Sequence, residues 1–531
     1  MNVTPIDATA RGGSIATASE VQDKIKSLAV SLERLDTKSR YRNALFGLAL
    51  GDAWGYRSEF TSYLALKRAF GGMVPSPEVK ISKKGLPAGV WYVSDDTQMT
   101  LALDDALDLA RREVYCALSN KSDVISLKHV VDIYTDSIVN EFQSWAQSPL
   151  NTRAPGASCM TSLMNQRTYG VDGTVPAWHD VVNGAVASDG CGAVMRALPA
   201  IFSNPLPLTA DAAGTGLSCE REDVIETWRG LTALQAMITH RSPAAVLSAI
   251  VLAEVTRLAI SWSRLDELDL EDSSNASRAT ELMAASGRAS EPNFNTVTNQ
   301  SRESLVSAGL VIIGQIRNGS WEGYSDLFLR EVMKPVLLDL EFLFGEYGES
   351  VTTLKTDQDY EEALRLWFVS ASASDHSKHS NAAGILSRLL TYASAAGATR
   401  HPDYDLGDPC EGIGQAWDAP SAVAVSLMIA DAVRAEVCGP AEALEWAATS
   451  NGDSDSIAAI VGGLIGSLWG IRGSSDFEKR QGAIGWLPEL ESYGTIEETV
   501  FGLKPAFEPA YAEKLWGGSK PMQWNPPTRK K

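Results

Sequence analysis

From Tyr41 onward the apolar residues of this chain recur at the spacing of an α-helix, and the alternating pattern of a half-buried strand is nearly absent. Within 94–111, Met99, Leu103, Ala106, Leu107 and Ala110 share one helical face. The segments 222–238, 244–260, 303–316, 326–345, 381–397, 420–436 and 456–470 read in the same way. The expected class is all-α, built from many medium-length helices. A length of 531 residues permits one large core or two to three domains. Because the helical runs on either side of the one long polar stretch read as parts of a single core, one large domain is expected.

Its expected limits are 41–505, preceded by an arm over 1–40 and followed by a tail over 506–531. The first 18 or so residues are rich in Thr, Ala, Gly and Ser and lack a pattern. Val21, Ile25, Leu28, Leu32 and Leu35 then form the single apolar stripe of a short amphipathic helix, which we expect to dock on the body. Residues 262–302, rich in Ser, Asn, Asp and Glu, read as a surface insertion.

Composition narrows the setting. Hydrophobic residues are 44% and charged residues 21%, the balance of a soluble globular chain. No stretch is expected to reach the roughly 18 uncharged apolar residues of a membrane span, and no signal-peptide run opens the chain. The longest apolar segment, Ile457 to Trp469, reads as a buried helix. None of the six cysteines lies in a C-x-x-C pair, so reduced thiols and a cytoplasmic location are expected. A formal charge of -20 disfavours anionic membranes and non-specific nucleic-acid binding. An anionic small ligand stays admissible if a metal dominates its local field.

Two acidic clusters each open an apolar helical run: Ser94-Asp95-Asp96-Thr97, and Asn451-Gly452-Asp453-Ser454-Asp455-Ser456. Either alone is a good helix start, since Ser and Asp cap N-termini and carboxylates favour the positive end of the helix. Together they hold more acid than capping needs, and all-oxygen donors suit hard cations. Gly51-Asp52-Ala53-Trp54-Gly55 ends another apolar run, with Glu59 just beyond, facing a pocket or solvent. Gly190-Cys191-Gly192, entering a helix, could offer N–H groups to an anion or simply turn the chain. His240 ends a helical stretch, where a cap is the plain reading. Arg153-Ala154-Pro155-Gly156 reads as a rigid turn whose arginine meets an anion or water.

Taken in order, these segments resemble the ADP-ribosylglycohydrolase family, which includes the dinitrogenase reductase-activating glycohydrolase and the ADP-ribosyl-arginine and ADP-ribosyl-serine hydrolases. Leu234 to His240, Gly412-Ile413-Gly414 and glycines 462, 463, 466 and 470 also fit, so the likeness covers roughly 41–260 and 380–500. The resemblance implies a single orthogonal multi-helix domain with a central cleft holding two Mg²⁺ or Mn²⁺ ions. It implies Ser94, Asp95, Asp96, Asp453, Asp455 and Ser456 as metal ligands. Glu59, Asp95, Asp96 and Asp453 would serve catalysis, with Glu59 as the acid/base or water-positioning group. Ser188, Asp189, Gly190, Cys191, Gly192 and His240 would bind substrate, the loop holding the diphosphate. Serine replaces the threonine of many members at 94, 454 and 456, keeping the oxygen donor. Cys191 stands where several members have Asn, and Arg241-Ser242-Pro243 departs from the sequence that often follows the histidine.

The implied reaction is hydrolysis of the glycosidic bond between ADP-ribose and a modified acceptor. The implied partners are an ADP-ribosylated protein or small molecule as substrate and ADP-ribose as product. Nucleic acid enters only as a modified substrate, and no membrane is involved. Two other readings remain at this stage: an inactive ADP-ribose-binding or structural relative, and an immunity protein against an ADP-ribosylating toxin that uses the N-terminal arm. The sequence selects neither the linkage cleaved nor Mg²⁺ over Mn²⁺, and it leaves the oligomeric state open.

Overall fold

Short polar residues set the helix starts. Ser62 accepts the Ala65 N–H, Ser126 the His129 N–H, Asp418 the Ser421 N–H and Asp453 the Ser456 N–H, each covering an otherwise orphaned donor. The computed structural model describes residues 18–76, 91–120, 124–148, 151, 153–166, 178–206, 209–210, 217–218, 225–266, 304–317, 321, 323, 326–333, 406–435 and 437–469. Its helices begin with α1 (Ala18–Gly55), α2 (Tyr63–Phe70), α3 (Asp95–Asn120), α4 (Leu127–Gln147), α5 (Ala157–Gln166) and α6 (Trp178–Asn183). They continue with α7 (Leu198–Ile201), α8 (Trp228–Met237), α9 (Pro243–Asp266) and α10 (Leu305–Arg317). The last are α11 (Ala419–Arg434), α12 (Pro440–Ala448) and α13 (Ser454–Ser467).

The class is all-α, as the periodicity predicts. Three two-residue strands, β1 (Val124–Ile125), β2 (Thr209–Ala210) and β3 (Leu217–Ser218), form an antiparallel ribbon in the order β1-β3-β2. Ser218 pairs with both Val124 and Thr209. Strands this short add no layer to the core.

Several expectations are refined. Helix α1 runs unbroken through Tyr41, where the sequence suggested the arm meets the body. The helix expected from 222 starts at Trp228, because Ile225 pairs instead with Leu206. The stretch Pro243–Ser263 is long and apolar enough to cross a membrane by length and composition, although Glu254 and Arg257 interrupt it, so it is not the uncharged run that the sequence reading excluded. Yet 83% of its most apolar window is buried, and α9 packs against α8, α10 and α11. Its apolar sides are covered by protein, and it carries Glu254, buried and paired with Arg229. Expectations for 1–17, 267–302, 381–397, Gly470 and 506–531 lie outside the described residues.

One helix pair positions everything that follows. Helices α1 and α13 run antiparallel with their backbones in contact. Along the seam Asn43 faces Gly466, Gly47 faces Gly462, Gly51 faces Ala458 and Gly55 faces Ser454. A Cβ on Gly51 would stand 1.9 Å from the Ala458 carbonyl oxygen. Small residues every fourth position are what such an approach requires, since residues four apart lie on one face. Trp54, beside this seam, is fully buried and meets Trp91 edge to face at 5.9 Å.

Candidate active site

The close approach of α1 and α13 carries Asp52 and Glu59, at the C-terminal end of α1, to the N-terminal end of α13. Asp52 then recruits α3. Its carboxylate accepts the Ser94 N–H at 2.9 and 3.0 Å, the Thr97 N–H at 3.0 Å and the Thr97 hydroxyl at 2.5 Å. Ser94 Oγ accepts the Asp96 N–H at 3.2 Å, the capping role read from sequence. A turn then orients Asp95. Its N–H donates to the Arg153 carbonyl at 3.0 Å, and its Oδ2 accepts the Gly156 N–H at 3.1 Å.

From the other side, Asp453 is pinned by its own N–H to the Gln415 carbonyl at 2.8 Å. Gly452 is needed for that approach: a Cβ there would lie 2.1 Å from the same carbonyl oxygen. The sequence suggested a sharp turn at this glycine, whereas the structure assigns it close backbone contact. Asp453 Oδ1 caps α13, while Oδ2 lies 2.9 Å from Cys191 Sγ. Ser454 Oγ donates to the Gly55 carbonyl at 2.9 Å, and Ser58 Oγ donates to the Ala448 carbonyl at 2.5 Å. These two serines fasten the turn that bears Glu59.

Acids from separate parts of the chain are thus brought together. Carboxylate oxygens of Glu59, Asp453 and Asp455 lie within 4.8 Å of one another, and all three residues are buried. Burial pushes the Asp95, Asp96 and Asp453 carboxyls well above the usual range, and in each the next cause is the charge of Asp455. Burial and then Asp455 also lift Asp52, to about 7. Asp455 is thus the common neighbour of the other acids. Asp96 Oδ2 and Asp455 Oδ1 are buried without a hydrogen-bond partner. A buried crowd of like charges with orphaned oxygens is costly unless a cation joins it. The donor set, all oxygen, fits a hard divalent cation.

The expected substrate loop lies beside this centre. Ser188 Oγ accepts the Gly190 N–H at 3.1 Å, and the Cys191 N–H donates to the Trp417 carbonyl at 3.1 Å. Two of the loop's N–H groups are thus committed to holding its shape. Asp189, half-buried, is raised by burial, and its carbonyl accepts the Ala419 N–H at 2.7 Å. Ser456 Oγ is buried 3.9 Å from Met195 Sδ.

His240 is a buried neighbour of the loop as well as a residue near a helix end. A Cβ on Gly192 would come 2.6 Å from His240 Cε1, and one on Gly190 would come 3.1 Å from Nε2. Burial, then the Arg196 charge, lowers its pKa to about 3, so the ring is neutral. Arg196 donates to Thr239 Oγ1 at 2.5 Å, and that hydroxyl lies 2.9 Å from His240 Nδ1. Thr239 Oγ1 thus links the buried Arg196 to the His240 ring and fixes the ring's orientation beside the loop.

Arg196 is wholly buried, donating to Gln235 and Cys159 over the Phe142 ring. Arg153, expected to meet an anion or water, is buried with its guanidinium 4.6 Å above Tyr92. Asp52, Ser58 and Ser454 are structural parts of the site to which the sequence reading gave no role. The only signal was their place inside or beside the quoted motifs.

Fold and site together describe an all-α protein with a buried carboxylate centre suited to a hard divalent cation. The chain belongs to the ADP-ribosylglycohydrolase family, whose profile matches residues 33–327. Membership supports a glycosidase acting on ADP-ribose linkages. A solved structure described as an ADP-ribosylglycohydrolase-related protein complex aligns at 18% identity and a TM-score of 0.36. It covers 88% of this chain and 98% of the other, a likeness too slight to carry an argument. No curated protein matches.

Proposed function

We propose that this protein is a divalent-metal-dependent hydrolase that removes ADP-ribose from a modified acceptor, with two Mg²⁺ or Mn²⁺ ions in the carboxylate centre. The observation that carries the reading is the grouping of the Glu59, Asp453 and Asp455 carboxylates, with Asp95 and Asp96 near enough for the Asp455 charge to act on both. Asp95, Asp96, Asp453 and Asp455 would hold the cations, with the Ser94 and Ser456 hydroxyls completing the donor set.

Cleavage at the anomeric carbon passes through an oxocarbenium-like state. Bound cations would supply Lewis acidity to the ribose hydroxyls and to a water. Glu59, buried against Asp453 and Asp455, would move the proton between water and leaving group, a contribution of ~10²–10⁴-fold. Ser188, Asp189, Gly190, Cys191 and Gly192 would shape the diphosphate subsite. Since the Gly190 and Cys191 N–H groups are engaged within the protein, we assign Gly192 N–H as its donor, with the neutral His240 ring lining the same subsite.

The substrate would be an ADP-ribosylated protein or small molecule, with ADP-ribose as product. No disulfide joins the cysteines among the described residues, which supports a reducing, cytoplasmic setting. The test is ADP-ribose release from arginine-linked and serine-linked substrates, with Mg²⁺, with Mn²⁺ and with EDTA, for wild type and Asp453→Ala. Release that needs both the metal and Asp453 supports the proposal; release indifferent to both overturns it.

A further inference from the structure

Cys191 belongs to the loop by its backbone and to the acids by its side chain. Its Sγ lies 2.9 Å from Asp453 Oδ2. The Asp96 charge and the Ser456 hydroxyl also act on the thiol. Three residues of the cation centre, drawn from the starts of α3 and α13, thus gather about one sulfur. Among them Asp96 is only 2% exposed, and its Oδ2 has no hydrogen-bond partner. A carboxylate oxygen buried in that way needs a cation or a donor to offset its desolvation.

The loop holds the thiol in place. The Cys191 N–H donates to the Trp417 carbonyl at 3.1 Å. Just before it, Gly190 pairs with Asp418 across an antiparallel bridge, and Ser188 Oγ accepts the Gly190 N–H. Just after it, Gly192 lies against His240 with no room for a Cβ. The side chain at 191 is therefore presented to Asp453 by backbone that is fixed on both sides.

The separation suits shared ligation. A thiolate and a carboxylate oxygen bound to one Zn²⁺ at ~2.3 and ~2.1 Å stand ~3.1 Å apart when the two bonds meet at a right angle. A hydrogen bond from the thiol to Asp453 accounts for the contact too, but it leaves Asp96 Oδ2 without a partner. Sulfur also changes what such a centre prefers. Mg²⁺ takes oxygen donors, whereas thiolate ligands favour softer cations such as Zn²⁺.

We infer that the Cys191 sulfur is a ligand of the cation centre beside Asp453, giving one of its positions a mixed oxygen–sulfur donor set that takes Zn²⁺ or Co²⁺ in preference to Mg²⁺. As the metal–sulfur bond forms, the thiol proton leaves to water. This rests on reading the carboxylate centre as a cation site, and it is independent of which bond the protein hydrolyses.

The test titrates metal-free, full-length protein with Co²⁺ and reads its absorbance. Wild type is expected to develop a near-ultraviolet thiolate-to-Co²⁺ charge-transfer band. So is Cys116→Ser, which removes an exposed cysteine and keeps the one in the loop. Cys191→Ser, Cys191→Ala and Asp453→Ala should each lose the band. Zn²⁺ affinity, measured by competition with a chromophoric chelator, should fall about tenfold or more in Cys191→Ser. Mg²⁺ should raise the melting temperature of Cys191→Ser as it does that of wild type, showing a folded variant with its oxygen ligands intact. The sulfur ligand is overturned if wild type gives no band although Mg²⁺ stabilises it, or if the band survives in Cys191→Ser or in Asp453→Ala. If neither Mg²⁺ nor Co²⁺ binds wild type, the cation reading of the centre falls, and the sulfur ligand with it.

Discussion

A Cβ placed on Gly47 would stand 2.1 Å from the Gly462 carbonyl oxygen, and one placed on Gly462 would stand 1.9 Å from that of Gly47. Neither helix can yield, because each contact is with backbone. Gly47→Ala should therefore destabilise the protein by about 1–3 kcal/mol, overriding the helix propensity that alanine gains. It should also weaken metal-dependent activity by parting Glu59 from Asp453. Gly439→Ala, with open space around its Cβ, should change stability by less than about 0.5 kcal/mol. Urea unfolding of both variants, read with activity at saturating Mg²⁺, checks the pair.

Asp455 crowds Asp52, Asp95, Asp96 and Asp453. Asp455→Asn should raise the melting temperature of metal-free protein, since it removes the shared like charge, by an amount worth ~1 kcal/mol. The same change should abolish the added stability that Mg²⁺ confers on wild type. Thermal melts with Mg²⁺ and with EDTA separate the two effects. A variant still stabilised fully by Mg²⁺ would remove Asp455 from the ligand set.

A second acidic group lies away from the site. Burial lifts Asp105 to about 8, with the Asp104 charge next, and lifts Glu141 to about 7. Their folded pKa values exceed the unfolded ones, so the folded state binds more protons. The stability they allow is present below about pH 4, where both states are protonated, and is lost progressively as pH rises to about 8. Asp105→Asn should therefore flatten the fall in stability between pH 5 and 8, gaining on the order of 1 kcal/mol over wild type at the upper end. Urea midpoints across that range are the measurement, and parallel curves for the two proteins would refute the assignment.

Gly192→Ala should drive a methyl into His240 Cε1, 2.6 Å away, and against Cys159 Sγ, 3.1 Å away. Since His240 is buried between the loop and Thr239, it has little room to retreat. We expect ADP-ribose affinity to fall roughly tenfold, ~1.4 kcal/mol, with a smaller change in thermal stability. Titration calorimetry with ADP-ribose measures it directly.

Much of this was legible in the sequence, for definite reasons. Periodicity gave the helices because amphipathic faces are written locally. The Ser94–Thr97 and Asp453–Ser456 clusters stood out because capping and cation binding draw on the same residue types. Asp52 was harder to read: its carboxylate serves α3, 42 residues away, and nothing near it announces that partner. Arg153 read as meeting an anion or water because a turn arginine usually does one or the other, and only the fold places Tyr92 beneath it. The membrane-like stretch Pro243–Ser263 shows the converse, since composition alone cannot reveal that neighbouring helices cover it. The Cys191–Asp453 contact joins residues 262 apart along the chain, so no local pattern could signal it.

The seam between α1 and α13 also says something about when the protein becomes competent. Glu59, Asp95 and Asp96 leave the ribosome early, whereas Asp453 and Asp455 follow more than 350 residues later. At ~5–20 residues per second, synthesis of the intervening chain takes tens of seconds. Throughout that interval the glycine face of α1 lacks its α13 partner, and the early acids are without their counterparts. A chain that stops before Asp453 would hold half a centre, so translation past Asp455 becomes a built-in checkpoint on the assembly of the site.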